Sequence, residues 1–243
     1  MKISGFTFGH NLIEGGYVVC EAILTVWPFV SEIVAVDIES TDNTRHVFEQ
    51  LGCRILDSKL NGTDTVNDAF KLHTACQGDL IIFFEADEVY DERLLDAVTW
   101  AIETSHRDIA VHRIQVTQNF QRIKEYPIPV HRIFPNGGGS YVQHPTRLPD
   151  YPVHIIPPTS GYLWDCSGVF RDNWKQRKLN QAKLFGQPRN IYVPGHFTEH
   201  FEFWGNQEDE ELAKDYWLAT ASPLVLPELL RGLVGVTKYD PHI

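Results

Sequence analysis

Two apolar runs in this chain each stop abruptly at a cluster of acidic residues. Residues 32–36 run into DIESTDNT at 37–44, and residues 80–84 run into EADE at 85–88. Short apolar segments closed by turn-forming residues read as strands buried on both faces, so both clusters are expected at the carboxyl ends of strands. In open α/β sheets that edge is where ligands bind. Carboxylates left unpaired in a partly buried crevice cost free energy, so two such clusters at one edge point to a cation there. The alternative is a pair of ordinary strand-to-helix turns with solvated acids, because helix capping favours the same residue types.

The intervening segments support one architecture. Residues 3–8 form a candidate first strand, and 17–27 carry apolar side chains at helical spacing before Pro28 marks an end. A strand at 32–37 follows, then a helix capped by Thr41 or Asp42 through about Leu51, and a brief strand at 53–56. A helix at 64–76, the strand at 80–84 and a helix at 91–104 capped by Asp91 complete the alternation. The pattern predicts an α/β fold with a mostly parallel central sheet covered by helices on both faces. From about Ile109 hairpins replace crossovers, with strands at 109–116 and 129–134, a glycine-rich turn at 136–139 and a returning strand at 140–143. The last third is irregular and rich in proline and aromatic residues, with helices expected at 173–185 and 207–218 and an apolar tail at 224–236. The whole chain, 1–243, is expected to form one domain with a first half ending near residue 105.

Charge and cysteine usage narrow the function classes. A formal net charge of −11 with few Lys and Arg residues argues against nucleic acid as a partner. It is compatible with a phosphorylated small molecule if a divalent metal and a few basic groups supply local positive charge. Cys20, Cys53, Cys76 and Cys166 are widely spaced with no CxxC pair, which suits a reducing compartment, and a cytoplasmic location is expected. The amino-terminal run is broken by His10, Asn11 and Glu14, unlike a signal peptide, and no uncharged apolar stretch reaches membrane-spanning length.

Three motifs in order carry a family resemblance: the opening Lys2, Ile3, Ser4, Gly5, Phe6, Thr7, Phe8 with Asn11 close behind; the turn Val36, Asp37, Ser40, Thr41, Asp42, Thr44; and Glu85, Ala86, Asp87, Glu88. Together they resemble family 2 glycosyltransferases of the nucleotide-diphosphosugar transferase (GT-A) fold over about the first 105 residues. Beyond that, Arg132, Ile133, Phe134, Ser140, Tyr141, Gly168, Arg171, Lys175 and Lys178 are patchily similar. The resemblance implies a hexosyltransferase of the inverting kind, moving a sugar from a nucleotide-diphosphate donor to a carbohydrate or other hydroxyl acceptor. It implies that Thr7, Phe8, Asn11 and the turn carrying Asp37, Glu39, Ser40 and Asp42 hold the nucleotide, with Lys175 near phosphate. It also implies that Asp87, then Glu85, bind Mn or Mg bridging the diphosphate. The chemistry agrees, since a departing nucleoside diphosphate develops charge that a hard divalent cation on carboxylates stabilises.

The chain departs from the family pattern at several places. Glu85 stands for a common Asp, His10 for an Arg before Asn11, and Glu39 for a glycine in the turn. A family histidine is replaced near Cys166, for which Cys166 or Asp165 could substitute as a ligand. The general base that an inverting transfer needs has three candidates: Glu88, Asp165 and His144. A rival motif is HFTEH at 196–200, the HxxEH zinc pattern of some metallopeptidases, which requires a helix that the preceding Pro194 and Gly195 disfavour. Phe197, Phe201, Phe203 and Trp204 offer either a sugar-stacking wall or core packing. Two further classes stay open: a degenerate relative that binds nucleotide sugar without turnover, and a nucleotidyltransferase, which would carry a basic glycine-rich loop where 9–16 has no Lys or Arg.

Overall fold

The computed structural model describes residues 1–104, 106–117, 122–123, 127–138, 148, 151–170, 173–185, 227–233, 236, 238–239 and 241. In chain order the elements are β1 (Ile3–Gly9), α1 (Val19–Val26), β2 (Glu32–Ile38), α2 (Thr44–Gln50), β3 (Arg54–Ser58), α3 (Thr65–Lys71), β4 (Leu80–Phe83), β5 (Glu88–Tyr90) and α4 (Glu92–Glu103). They continue as β6 (Ile109–Thr117), β7 (Arg122–Ile123), β8 (Ile128–Pro135), β9 (His154–Ile155), β10 (Leu163–Gly168), α5 (Trp174–Phe185) and a single helical turn, Glu228–Arg231.

One sheet runs in the order β3-β2-β1-β4-β8-β6-β10-β5, with β7 and β9 also bonded to β6. Its first half is wholly parallel: β1 pairs with β2 and β4, and β2 with β3. The hairpin character enters with β8, antiparallel to both β4 and β6, while β10 returns parallel to β6. The chain walks outward from β1 to β3 and then comes back on the other side of β1 as β4. The carboxyl ends of β1 and β4 therefore form a topological switch point, the crevice where open α/β sheets take ligands.

Alternation along each strand sorts the core onto the two faces. Ile33, Ala35, Leu80 and Ile82 pack with Ile23 of α1, Phe48 of α2 and Leu94 and Val98 of α4. Val34, Val36, Ile38, Ile81 and Phe83 pack on the opposite side with Phe70 of α3 and Leu184 of α5. Gly5 lets α1 lie close to the sheet: a Cβ there would come 2.9 Å from Ile33 Cγ1 and 3.1 Å from Val26 Cγ1. Near the carboxyl terminus Tyr239 is buried beside Phe170, accepts from Cys20 N and donates to Glu21 Oε2 at 2.8 Å.

The fold class matches the sequence expectation, and the differences have local causes. Pro28 does not end the first helix outright but sits in a 3-10 turn, Trp27–Phe29, that extends it. The helix expected at 64–76 is α-helical only over Thr65–Lys71, framed by 3-10 turns Gly62–Asp64 and Leu72–Ala75. Strand β5 was not predicted, because its Glu88 reads as part of an acidic turn; pairing with β10 makes it a strand. Asp91 caps α4 as expected, accepting from Arg93 N at 2.9 Å. The strand expected at 140–143 and the helix at 207–218 lie outside the described residues. Among those described, no helix is long and apolar enough to cross a membrane. All four cysteines are free thiols, and burial pushes Cys20 up to about 11 and Cys53 and Cys76 up to about 12.

Candidate active site

The loops that follow β1 and β2 are laced together at the switch point. Asn11 Oδ1 accepts from Thr41 N at 2.7 Å, Asn11 Nδ2 donates to Thr41 Oγ1, and Asn11 N donates to Ser40 Oγ at 3.0 Å. Asp42 accepts from Thr44 N, the first residue of α2, and from Glu14 N, both at 2.9 Å, and so ties the start of that helix to the β1 loop. Asp37 accepts from Ser40 N at 3.3 Å and lies 3.6 Å from Arg45. His10, where the family carries Arg, donates from Nδ1 to Ile38 O at 2.7 Å and so bolts one loop to the other.

Two non-glycine residues here have left-handed backbone, Asn11 and Glu39, each at φ 48°. Asn tolerates this region because its side chain bonds locally. Glu39 adopts the conformation that a glycine would hold without strain, and its carboxylate accepts from Leu60 N at 3.0 Å. Glu39 thus holds a left-handed turn that its own side chain helps to close.

The acidic turn after β4 is built differently. Buried Glu88 accepts from Arg132 Nε at 2.8 Å and Arg132 Nη2 at 2.6 Å, a two-pronged pair, and its Oε2 also accepts from Glu85 N. Glu85 lies 3.5 Å from Arg132 Nη2 and is partly exposed. Burial, then Glu88 beside it, pushes the Glu85 carboxyl up to about 8 against the pull of Arg132. Asp87 is buried, its backbone carbonyl accepts from Cys166 N at 2.8 Å, and its carboxylate pairs with Arg177 of α5. Burial raises Asp87 to about 7, Arg177 opposing and Asp165 and Glu88 adding to the rise. Asp165 on β10 stands opposite Glu88 in register and 3.2 Å from Arg113.

Helix α5 crosses this crevice. Asn173, Arg177, Asn180 and Leu184 fall on one buried stripe at helical spacing. Asn173 Nδ2 donates to Glu14 O and Asn180 Nδ2 to Asn11 O, each at 3.0 Å. These bonds set the helix over the β1 loop and deliver Arg177 to Asp87, with its guanidinium 3.8 Å from the Tyr17 ring centroid.

The fold therefore gathers Asn11, Asp37, Ser40 and Asp42 at one end of the crevice and Glu85, Asp87, Glu88 and Asp165 at the other. Three of the expected site residues are placed in the interior. Glu88, a general-base candidate, is fully buried with both its oxygens bonded to Arg132. Cys166, a candidate metal ligand, is buried in the apolar core, and burial raises its thiol well above its ordinary value. Thr7, a candidate nucleotide contact, is fully buried within β1, and its hydroxyl has no hydrogen-bond partner among the described residues. Phe8 is half-buried and stacks on Phe83 at 5.8 Å. Lys175 lies on the α5 backbone. His144, the HFTEH motif and the aromatic cluster at 197–204 fall outside the described residues. Arg113, Arg177 and Asn180 were missed by sequence reasoning, and Arg132 entered only through the patchy similarity; for Arg177 and Asn180 the polar stripe of α5 was the available signal.

Glu85 and Asp87 supply hard carboxylate oxygens of the kind Mn and Mg prefer, and Glu85, Asp87, Glu88 and Asp165 outnumber the three arginines that face them. That surplus fits a cation in chemical kind. Among the described residues, however, no three ligating side chains converge, so Asp87 would have to leave Arg177 to take part.

An open α/β sheet with an acidic, arginine-faced crevice at its switch point has the place where such sheets take ligands. Residues 20–162, more than half of the chain, match the glycosyl transferase family 2 model, and the protein belongs to that family. A protein of Rickettsia felis named as an uncharacterized glycosyltransferase is 30% identical over 107 residues, spanning 44% of this chain and 36% of that protein. Among solved structures, glucosyl-3-phosphoglycerate synthase from Mycobacterium tuberculosis, in complex with Mn2+, UDP and glucosyl-3-phosphoglycerate, is 17% identical with a TM-score of 0.37, covering 47% of this chain and 44% of that one. Mannosyl-3-phosphoglycerate synthase from Rubrobacter xylanophilus is also 17% identical at a TM-score of 0.37, over 46% of this chain and 40% of its own. The matched region spans less than half the length of these relatives.

Proposed function

We propose that this protein transfers a sugar from a nucleotide-diphosphate donor to a hydroxyl acceptor, in the crevice between the carboxyl ends of β1 and β4. The observation that carries the reading is the placement of Asp87, with Glu85 beside it, at the switch point of a family 2 sheet. Asn11, Asp37 and the Ser40–Asp42 turn border the nucleotide side, and Asp87 and Glu85 would hold Mn or Mg. A divalent cation there supplies neutralisation of the leaving diphosphate. Asp165 remains a base candidate beside the acidic turn: its Oδ1 accepts from Ser167 N at 2.8 Å, and, buried like Glu88, it would have to be released by Arg113 to act.

Calorimetric titration of UDP and GDP, with and without Mn, tests this on the wild type and on Asp87→Ala. Binding of a nucleotide with Mn that disappears in the variant is the expected result; no binding under any condition would sink the donor-site reading. One observation favours a second reading, binding without turnover: Glu85, Asp87, Glu88 and Asp165 all face guanidinium groups. A nucleotide sugar bound with Mn and left unconsumed over long incubation with acceptor mixtures would select it.

A further inference from the structure

Two buried arginines reach the acidic turn, and they are held differently. Arg132 meets Glu88 with two nitrogens in the fork geometry that makes guanidinium–carboxylate pairs strong and specific. Arg177 meets Asp87 through Nη2 alone, and its buried Nε has no hydrogen-bond partner among the described residues. A guanidinium has five donors in a rigid plane, and leaving a buried one unmade costs free energy. Arg177 is therefore under-satisfied where it stands, and a group with several acceptor oxygens would satisfy it better than Asp87 does. Its other contact, the face of Tyr17, is cation–π and sets no demand on which nitrogens are bonded. The helix that carries it is anchored to the β1 loop by neutral amide bonds from Asn173 and Asn180, which do not compete for the guanidinium.

We infer, on the donor-site reading above, that Arg177 is a placeholder on Asp87: it balances that carboxylate until a nucleotide diphosphate arrives with its divalent cation, and then turns to the phosphate oxygens. The exchange keeps every charge paired. Asp87 passes from a guanidinium to the cation, and Arg177 passes from a carboxylate to phosphate, for which its planar donors are well matched. Arg132 cannot make the same exchange without leaving Glu88 buried and alone. Cation and nucleotide then bind with strong mutual coupling, because a cation by itself must displace Arg177 and offer it nothing in return.

The test is calorimetry on the full chain with MnCl2 alone, with UDP and GDP alone, and with both, for wild type, Arg177→Gln and Arg177→Lys, after circular dichroism has shown each folded. In Arg177→Gln, Mn alone should bind roughly tenfold or more tightly than to wild type. The same variant should bind nucleotide with Mn roughly tenfold or more weakly, the equivalent of one lost charge-assisted hydrogen bond. Arg177→Lys should restore part of both. A second variant, Asp87→Asn, frees Arg177 with little change of shape and should bind UDP or GDP in EDTA more tightly than wild type does. Wild-type nucleotide binding with unmoved Mn affinity in Arg177→Gln and unmoved metal-free affinity in Asp87→Asn would overturn the placeholder while leaving the donor site standing. Wild type that binds neither nucleotide with Mn would remove both.

Discussion

The two acidic clusters look alike in sequence and are held by different physics. After β2, Asp37, Glu39 and Asp42 accept from backbone N–H groups of Ser40, Leu60, Thr44 and Glu14 at 2.9–3.3 Å. After β4, Glu88 and Asp87 meet guanidinium groups 44 and 90 residues away in sequence. The first cluster shapes a loop through short-range bonds, and at exposed Glu39 water is at hand to replace them. The second is a charge network in the interior, which holds only while β8 and α5 are docked.

The largest test of that contrast is to remove one cation from each cluster. Arg132→Met leaves Glu88 buried without its partner, and breaking a buried pair from one side costs about 3–5 kcal/mol. Arg45→Met removes the pairs that this exposed arginine makes with Asp57 and Asp37, and a much smaller loss is expected because solvent screens an exposed cation. Urea unfolding at neutral pH reads both. Adding Glu88→Gln to Arg132→Met should recover part of the loss; equal costs for the two arginine variants would mean that Glu88 reaches water.

The same contrast explains what was legible. Strands β1 to β4, the cap at Asp91 and the Asp37–Thr44 turn are written in apolar runs and capping residues within a few positions of one another, so the sequence exposed them. Glu88 read as a general-base candidate rather than an ion-pair partner because Arg132 is distant in the chain and nothing local marks the pair. On α5, Lys175 and Lys178 drew attention as cations, whereas the described pairing with Asp87 comes from Arg177. Its place was readable from spacing, since Asn173, Arg177, Asn180 and Leu184 make a buried stripe that is polar where an ordinary helix is apolar.

A pH experiment sharpens the comparison at intermediate size. In the metal-free protein Glu85 and Asp87 are raised to about 8 and about 7, above their unfolded values near 4. A raised folded-state pKa gives stability that is present below the unfolded pKa and lost as pH rises through the folded one. The metal-free protein should thus lose stability progressively as pH rises from about 4 through about 8, with the loss complete by about pH 8.5. Glu85→Gln, which mimics the protonated side chain, should shrink that loss and be the more stable chain at pH 8.5. A loss that is unchanged in Glu85→Gln would assign the pH dependence elsewhere, with buried Glu21, also raised, the next group to test.

The smallest expected effect lies in the first cluster, at one of the residues where the chain departs from the pattern it resembles. Glu39 holds φ 48°, which costs a non-glycine residue about 1 kcal/mol or more. Glycine removes that strain but also removes the bond to Leu60 N and adds freedom to the unfolded chain, each worth roughly 0.5–1 kcal/mol. The opposing effects are similar in size, so Glu39→Gly should leave the denaturation midpoint nearly unmoved. Glu39→Val keeps the strain, worsens it by β-branching and loses the bond, so it should destabilise by about 1–2 kcal/mol. If glycine proves as costly as valine, the carboxylate at 39 does more than close its own loop, and the first cluster is less local than its hydrogen bonds indicate.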